Sequence, residues 1–355
     1  MKALVLAGGS GTRLRPFSYS MPKQLMPIAN KPVLVHILDN LRAIGVRQVG
    51  LIVGSHIEEI RSVLGSGAAH SVELTYIPQD KPRGLAHCVQ IARDFLGDDD
   101  FVMYLGDNML PDGIGEVAER FRAARPAAQV VVHKVPDPQS FGVAEVDPDG
   151  TVTRLVEKPA QPRSDLALIG VYFFTGAIHR AVASIKPSAR GELEITDAIQ
   201  WLVAGGWKVT ANVHSGFWKD TGNVEDLLDC NREVLDGIGH RLDGFVDGFS
   251  SVSGPVVLEY GAEIIRSRVA GPAIIGAGTV VSDSYVGPHT TLGERCTLRD
   301  AGIDYSIVLN GATLRDVRGI HGSVIGRFSV VGSVLGGTRH RLVVGDNTSL
   351  EVAVR

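Results

Sequence analysis

From Val269 onward the chain places an aliphatic residue every five or six positions: Val269, Ile275, Val281, Val286, Leu292 and Leu298, then Ile303, Val308, Leu314 and Ile320. That interval matches neither the 3.6 residues of a helical turn nor the two-residue alternation of a half-buried strand. It suits a chain wound into a coil, each turn laying its anchors on those of the next, which is the pattern of a β-helix. Glycine often follows the anchor, as in Ile275-Gly276, Val286-Gly287, Leu292-Gly293 and Ile325-Gly326. An ordinary β-sandwich explains this spacing less well. The tail from Gly336 to Arg355 takes no clear assignment.

Up to about residue 235 the pattern is different. Short apolar runs at Lys2–Leu6, Val49–Val53, Val72–Ile77 and Phe101–Leu105 alternate with helical stretches. The first helix has its apolar face at Val33, Leu34, Ile37, Leu38, Leu41 and Ile44 and stops at Gly45; others are expected around Glu58–Leu64 and Leu85–Phe95. Buried strands separated by amphipathic helices predict an α/β domain with a mainly parallel sheet, whose ligands bind beyond the carboxyl ends of the strands. A length of 355 residues also favours two domains. The expected division is 1–238 for the α/β domain, a glycine-rich linker at 239–254, and the β-helix with an irregular tail at 255–355.

Charge and cysteine content narrow the function classes. A net charge of −4 gives no global attraction for DNA or RNA. Cys88, Cys230 and Cys296 lie far apart, with no metal-ligand spacing, so neither a disulfide framework nor a zinc site is expected. The apolar run in the opening MKALVLAGG is far short of the roughly 20 residues that span a bilayer. The expectation is a cytoplasmic protein with no nucleic-acid or membrane partner.

The first strand runs into Leu6-Ala7-Gly8-Gly9-Ser10-Gly11-Thr12-Arg13-Leu14. Glycines and an arginine at a strand end point to a phosphate-binding turn. It is not a Walker A loop, because Arg13 follows Gly11-Thr12 and no Gly-Lys pair occurs nearby. It is not the dinucleotide fingerprint either, because Leu14 stands where a third glycine is required. With Pro16, Pro22-Lys23-Gln24-Leu25 and Pro27, the whole phrase resembles the signature of the sugar-nucleotide pyrophosphorylases. The resemblance implies a Rossmann-like nucleotidyltransferase domain; the repeats likewise resemble the left-handed parallel β-helix of hexapeptide-repeat proteins. It places Leu6, Gly8, Gly9, Gly11 and Thr12 against a nucleoside triphosphate, where residues without Cβ let backbone N–H groups approach. Arg13 supplies a fixed fork for phosphate oxygens and Lys23 a compact charge; Arg15 receives no role.

The resemblance extends along the first 230 residues. Gln79 and Gly84 fall in the segment that reads a pyrimidine, and a glutamine can donate and accept at once, as the imide edge of uracil or thymine requires. Gly84-Leu85-Ala86 is similar to the glucose-1-phosphate thymidylyltransferases. Asp107, also a nucleotide contact, and Asp220 are implied as ligands of one Mg²⁺, which takes few carboxylates and fills its remaining positions with phosphate and water. Gly142, Glu157, Lys158, Tyr172 and Arg190 are implied for the sugar phosphate. Phe141 departs from the tyrosine of many shorter thymidylyltransferases. Taken alone, the aspartates read as turn or cap residues and Glu157-Lys158 as a surface pair; their roles come from the resemblance.

No nucleophile–base pair stands out, and the implied reaction needs none. A phosphate monoester has its second pKa at about 6, so a sugar 1-phosphate is mostly dianionic at neutral pH. It can attack the α-phosphorus directly, with pyrophosphate leaving in line, and catalysis reduces to positioning and charge stabilisation by Arg13, Lys23 and Lys158. The expected reaction forms dTDP-glucose and pyrophosphate from dTTP and α-D-glucose 1-phosphate. Long members of this family, found in deoxysugar pathways of actinomycetes, resemble the chain along nearly its whole length. Alternatives are UTP or another triphosphate, another sugar or cyclitol 1-phosphate, or a non-catalytic regulatory or scaffold subunit. An acyltransferase on the β-helix would draw on His289, His321 or His340. His36, His87 and His133 are expected in the core or at the surface, without catalytic roles. A homo-oligomer, with a tetramer favoured, is expected.

Overall fold

In a computed structural model, residues 1–9, 11–336 and 342–354 are described, and they form two compact units. The first comprises 1–9 and 33–218; the second comprises 11–32 and 219–354. The loop after the first strand thus belongs with the C-terminal part of the chain, which the expected division at 238 did not anticipate.

The first unit is built on a nine-stranded sheet. Its order is Val152–Glu157, Gly142–Val146, Leu166–Phe174, Phe101–Leu105, Lys2–Ala7, Gln48–Val53 and Glu73–Pro78. Ala128–Lys134 pairs with Leu166–Phe174, and Val209–Val213 pairs with Ala128–Lys134. The four strands from Phe101–Leu105 to Glu73–Pro78 are parallel to one another; Leu166–Phe174 runs antiparallel beside them. Ala3 to Leu6 and Phe101 to Tyr104 are buried because helices cover both faces of a parallel sheet. The first helix, Val33–Ala43, buries the apolar stripe its spacing predicts. The expected helix over 85–95 is two short ones, Leu85–Ile91 and Arg93–Leu96, joined at Ala92.

In the second unit the chain winds through three parallel sheets, with Ala273 paired to Thr290 seventeen residues on and Thr297 to Thr313 sixteen on. Three strands per turn convert those coil lengths into the five-to-six residue interval of the anchors. The anchors stack in three ladders: Val269–Val286–Ile303–Ile320, Ile275–Leu292–Val308–Ile325 and Val281–Leu298–Leu314–Val331. All twelve are buried, and all belong to one core. Gly276 follows an anchor because a Cβ there would lie 2.5 Å from the Gly293 carbonyl carbon of the next coil.

Residues 239–254 are not a linker. They carry the strands Arg241–Leu242, Phe245–Val246 and Ser251–Ser253, each paired in parallel with the following coil. One of the glycines that suggested flexibility serves close stacking instead: a Cβ on Gly244 would sit 2.4 Å from the Ala262 carbonyl oxygen. The tail left unassigned continues the coil, with Val343–Val344 and Ser349–Val354 added to two of the sheets. Cys88, Cys230 and Cys296 are buried free thiols, and no described helix is long and apolar enough to cross a membrane.

Leu298 stands mid-ladder between Val281 and Leu314 and is fully buried. Leu298→Ala is expected to cost about 2–5 kcal/mol, the usual range for a buried leucine truncation, and to lower the thermal midpoint of the β-helix signal in circular dichroism.

Candidate active site

In the first unit, two groups of expected site residues assemble. The first lies at the carboxyl ends of the central parallel strands. Leu6, next to last in its strand, is buried, and Gly106, next to Asp107, donates its N–H to the Leu6 carbonyl at 2.9 Å. Gln79 follows the edge strand of this parallel run, and its Oε1 lies over Gly8, 2.9 Å from where a Cβ would be. Its Nε2 donates to His87 Nδ1 at 3.2 Å and to Cys88 Sγ at 3.3 Å. Burial holds the His87 pKa below its ordinary value, with Arg83 adding to the effect. An amide nitrogen only donates, so a neutral His87 must accept at Nδ1. Asn108, buried beside Asp107, donates to its carboxylate at 3.1 Å and accepts from Trp218 Nε1 at 2.7 Å.

The second group surrounds Glu157. Thr196 Oγ1 donates to Glu157 Oε2 at 3.1 Å, and Arg190 Nη1 approaches Glu157 and the buried Glu194 at 3.4 Å each. Tyr172 is buried; its phenol is pushed well above its ordinary pKa, first by burial and then by the Glu157 charge. Gly142 backs the group: a Cβ there would meet Thr196 Cγ2 at 2.7 Å and Glu157 Oε2 at 3.2 Å. Lys158 is exposed and in a left-handed conformation (φ 42°), its N–H donating to the Phe141 carbonyl at 3.0 Å. Gly84 ties the two groups together. Its φ is +98°, a Cβ would strike Leu193 backbone atoms at 2.4–2.8 Å, and Ala86 N donates to the Leu193 carbonyl.

Gly9 follows Gly8 in the first unit, and the remaining expected residues lie in the second. Gly11 opens a three-residue 3₁₀ turn, Thr12–Leu14, from a left-handed conformation (φ 63°). Lys23 packs close by, its Cβ 3.2 Å from where a Gly11 side chain would begin. Arg13 Nη2 faces Asp220 Oδ2 at 3.7 Å, and Gly222 leaves room for that pair. Lys219, the neighbour of Asp220, is held by Asp226 at 3.0 Å and Asp229 at 2.8 Å. Burial alone would lower its pKa, but hydrogen bonds to Asp229 and Asp226 outweigh it and hold the ammonium well above its ordinary value. Tyr305 of the coil donates to Asp229 at 3.0 Å.

Thr196, Glu194 and the Lys219 carboxylate pair carry no expected site role, and His87, expected in the core or at the surface, is buried against Gln79. None sits in a local pattern that marks it, since each acts through a partner from another element. Among the described residues no group of three or more histidine, cysteine or acidic side chains converges on a metal position. Mg²⁺ requires only one or two carboxylates when phosphates complete its shell, so an ion that arrives with its substrate needs no such group. His289 and His321 are each paired with a carboxylate, Asp236 and Asp304. His340 lies outside the described residues.

Residues 2–237 match the nucleotidyl transferase family model. The chain is 53% identical over 354 residues to glucose-1-phosphate thymidylyltransferase of Streptomyces griseus, covering 99% of this chain and 100% of that one. It is 51% identical to the Streptomyces antibioticus protein of the same name, over 99% of both chains. A solved Bacillus anthracis chain assigned as a glucose-1-phosphate thymidylyltransferase, in complex with sucrose, superposes with a TM-score of 0.62 at 36% identity. It covers 68% of this chain and 97% of that one.

The Glu157 carboxyl has its pKa raised, first by burial and then by Glu194. Its ionisation therefore costs stability as pH climbs from the unfolded value of 4.5 through the raised folded value, and costs nothing below both. Glu157→Gln is expected to raise the thermal midpoint at neutral pH, the gain vanishing in acid, while the KM for the sugar phosphate rises. Melting curves across pH, together with initial rates, check both parts.

Proposed function

The chain belongs to the nucleotidyl transferase family, and from that premise we propose that it is a glucose-1-phosphate thymidylyltransferase, forming dTDP-glucose and pyrophosphate from dTTP and α-D-glucose 1-phosphate. The full-length identity to the Streptomyces proteins supports this assignment. The observation that carries it is the pairing, within one unit, of Gln79 over the strand-end Gly8 with the Glu157–Arg190–Tyr172 group.

In the proposed mechanism Gln79 meets the imide edge of the base. Gly8, Gly9 and Gly11 give backbone donors to the triphosphate, while Arg13 and Lys23 supply positive charge for its oxygens. Glu157 accepts sugar hydroxyls, and Lys158 with Arg190 holds the sugar phosphate, whose oxygen attacks the α-phosphorus in line. No protein nucleophile or base enters, so these side chains position reactants and stabilise charge. Asp107 and Asp220 are the residues that would hold Mg²⁺, which neutralises charge on the triphosphate when bound. We further propose a cytoplasmic homo-oligomer with a tetramer favoured.

Pyrophosphate release is measured for five nucleoside triphosphates against several sugar 1-phosphates. The highest kcat/KM is expected for dTTP with glucose 1-phosphate, with measurable use of UTP; a preference for ATP or GTP would overturn the thymidylyl assignment. Arg13→Ala and Asp107→Asn are each expected to lower kcat by on the order of 10²–10³, the usual effect of losing one charge-stabilising group.

A further inference from the structure

The loop 11–32 has little structure of its own. It contains three 3₁₀ turns of three residues each, Thr12–Leu14, Phe17–Tyr19 and Lys23–Leu25, and a two-strand pairing of Pro27–Ile28 with Lys31–Pro32. Turns this short do not hold their shape without outside support. Beyond the burial of Leu14, Phe17, Met26 and Ile28, polar support comes from the β-helix and from the helix Val224–Asp236 beside it, at two places on either side of Lys23.

Before Lys23, the Ser20 hydroxyl donates to Asp346 Oδ2 at 2.7 Å, and the Ser20 carbonyl accepts from Arg327 Nη2 at 3.0 Å. Arg327 grips the same carboxylate through Nε at 2.8 Å and Nη2 at 2.6 Å, and its backbone N–H donates to Asp346 Oδ1 at 2.7 Å. The Asp346 side chain is only 6% exposed, so this is a built junction and not a passing surface pair. Pro16 packs against the same coil, within 3.1 Å of where a side chain on Gly345 would begin. After Lys23, Ala29 and Asn30 both take positive φ, 51° and 59°. Ala29 N donates to Oδ1 of the fully buried Asn231 at 2.9 Å, and Asn30 Nδ2 donates to the Leu292 carbonyl at 2.6 Å. Leu292 is an anchor of the coil.

We propose that the β-helix is a working part of nucleotide binding, with Arg327 and Asp346 as positioning residues that fix the loop carrying Arg13 and Lys23 before the triphosphate arrives. This rests on the assignment of that loop to the triphosphate. A loop already held in its binding shape loses less freedom when the ligand binds, so loosening it weakens affinity without removing any contact to the ligand. The sugar phosphate is held by other residues, so its KM is expected to stay put.

The test uses the full-length chain and its Ser20→Ala, Arg327→Met, Arg327→Lys, Asp346→Asn and Arg13→Ala variants. Calorimetric titration with dTTP and Mg²⁺ is combined with KM for each substrate, kcat and thermal midpoint. Arg327→Met and Asp346→Asn are expected to weaken dTTP binding by about tenfold, with the glucose 1-phosphate KM within about twofold of wild type. Arg327→Lys should recover part of the loss. Ser20→Ala, which removes a single hydroxyl from an exposed residue, keeps the test open if the other variants fold poorly; a smaller loss in the same direction is expected. A lowered midpoint with wild-type dTTP affinity would make the junction purely structural and overturn the inference. Wild-type dTTP affinity in Arg13→Ala would instead remove the loop's assignment, and the inference with it.

Discussion

The stacking of aliphatic anchors in the coil is the constraint on which the rest of the second unit depends. Strands of two or three residues cannot stand alone, and each coil is stable only because its neighbours cover its anchors. The register from Val269 through Val286 and Ile303 to Ile320 therefore fixes where every other residue of the coil points. Helix Val224–Asp236 leans on that surface through the buried Asn231, whose amide donates to the His289 carbonyl at 3.4 Å. Its acidic residues Asp226 and Asp229 then hold Lys219, next to Asp220. Hydrophobic register is thus converted, step by step, into the placement of charge.

Charge placement is what the proposed chemistry demands. A reaction without a protein nucleophile gains its rate from groups held where charge develops, and such groups must already be in place. Glu157 illustrates the cost of holding one. Burial and Glu194 disfavour its ionised form, while Thr196, Lys158 and Arg190 favour it. An arrangement that keeps a carboxylate where ionisation is penalised has a cheap alternative in an uncharged residue, and groups perturbed in this way concentrate at functional sites. Lys219 is the opposite case, a cation fully compensated by two carboxylates, and its effect is to stiffen the chain next to Asp220.

Much of this was legible in the sequence, because it is written locally. The ten anchors, the helix over 33–43 and the glycine turn after Leu6 are patterns of neighbouring residues, and residue type alone dictates them. The companions of Gln79 and Glu157 were not legible, because His87 and Thr196 become partners only after distant strands and helices pack. The allegiance of loop 11–32 was hidden for the same reason: Ser20 and Asp346 are 326 positions apart. Residues 239–254 misled in another way. Glycine is used both where a chain must flex and where backbones must stack closely, and composition cannot separate the two uses. Only the Gly244 contact with Ala262 decides it.

On the proposed reading, the arrangement around Gln79 also limits what this glutamine can distinguish in a base. With Nε2 engaged by His87 and Cys88, its Oε1 faces Gly8 and offers an acceptor. An acceptor there suits the N3–H of a pyrimidine imide, and a site built around that hydrogen bond rejects a base that lacks the donor, because the amide oxygen is then left unpaired. Thymine and uracil share the imide, so the glutamine treats them alike. Discrimination between them falls to the apolar contacts of one methyl group, worth only about 1–3 kcal/mol. On the proposed reading, then, hydrogen bonding to the amide that His87 holds does not separate the two imide bases. The choice between them rests on packing alone.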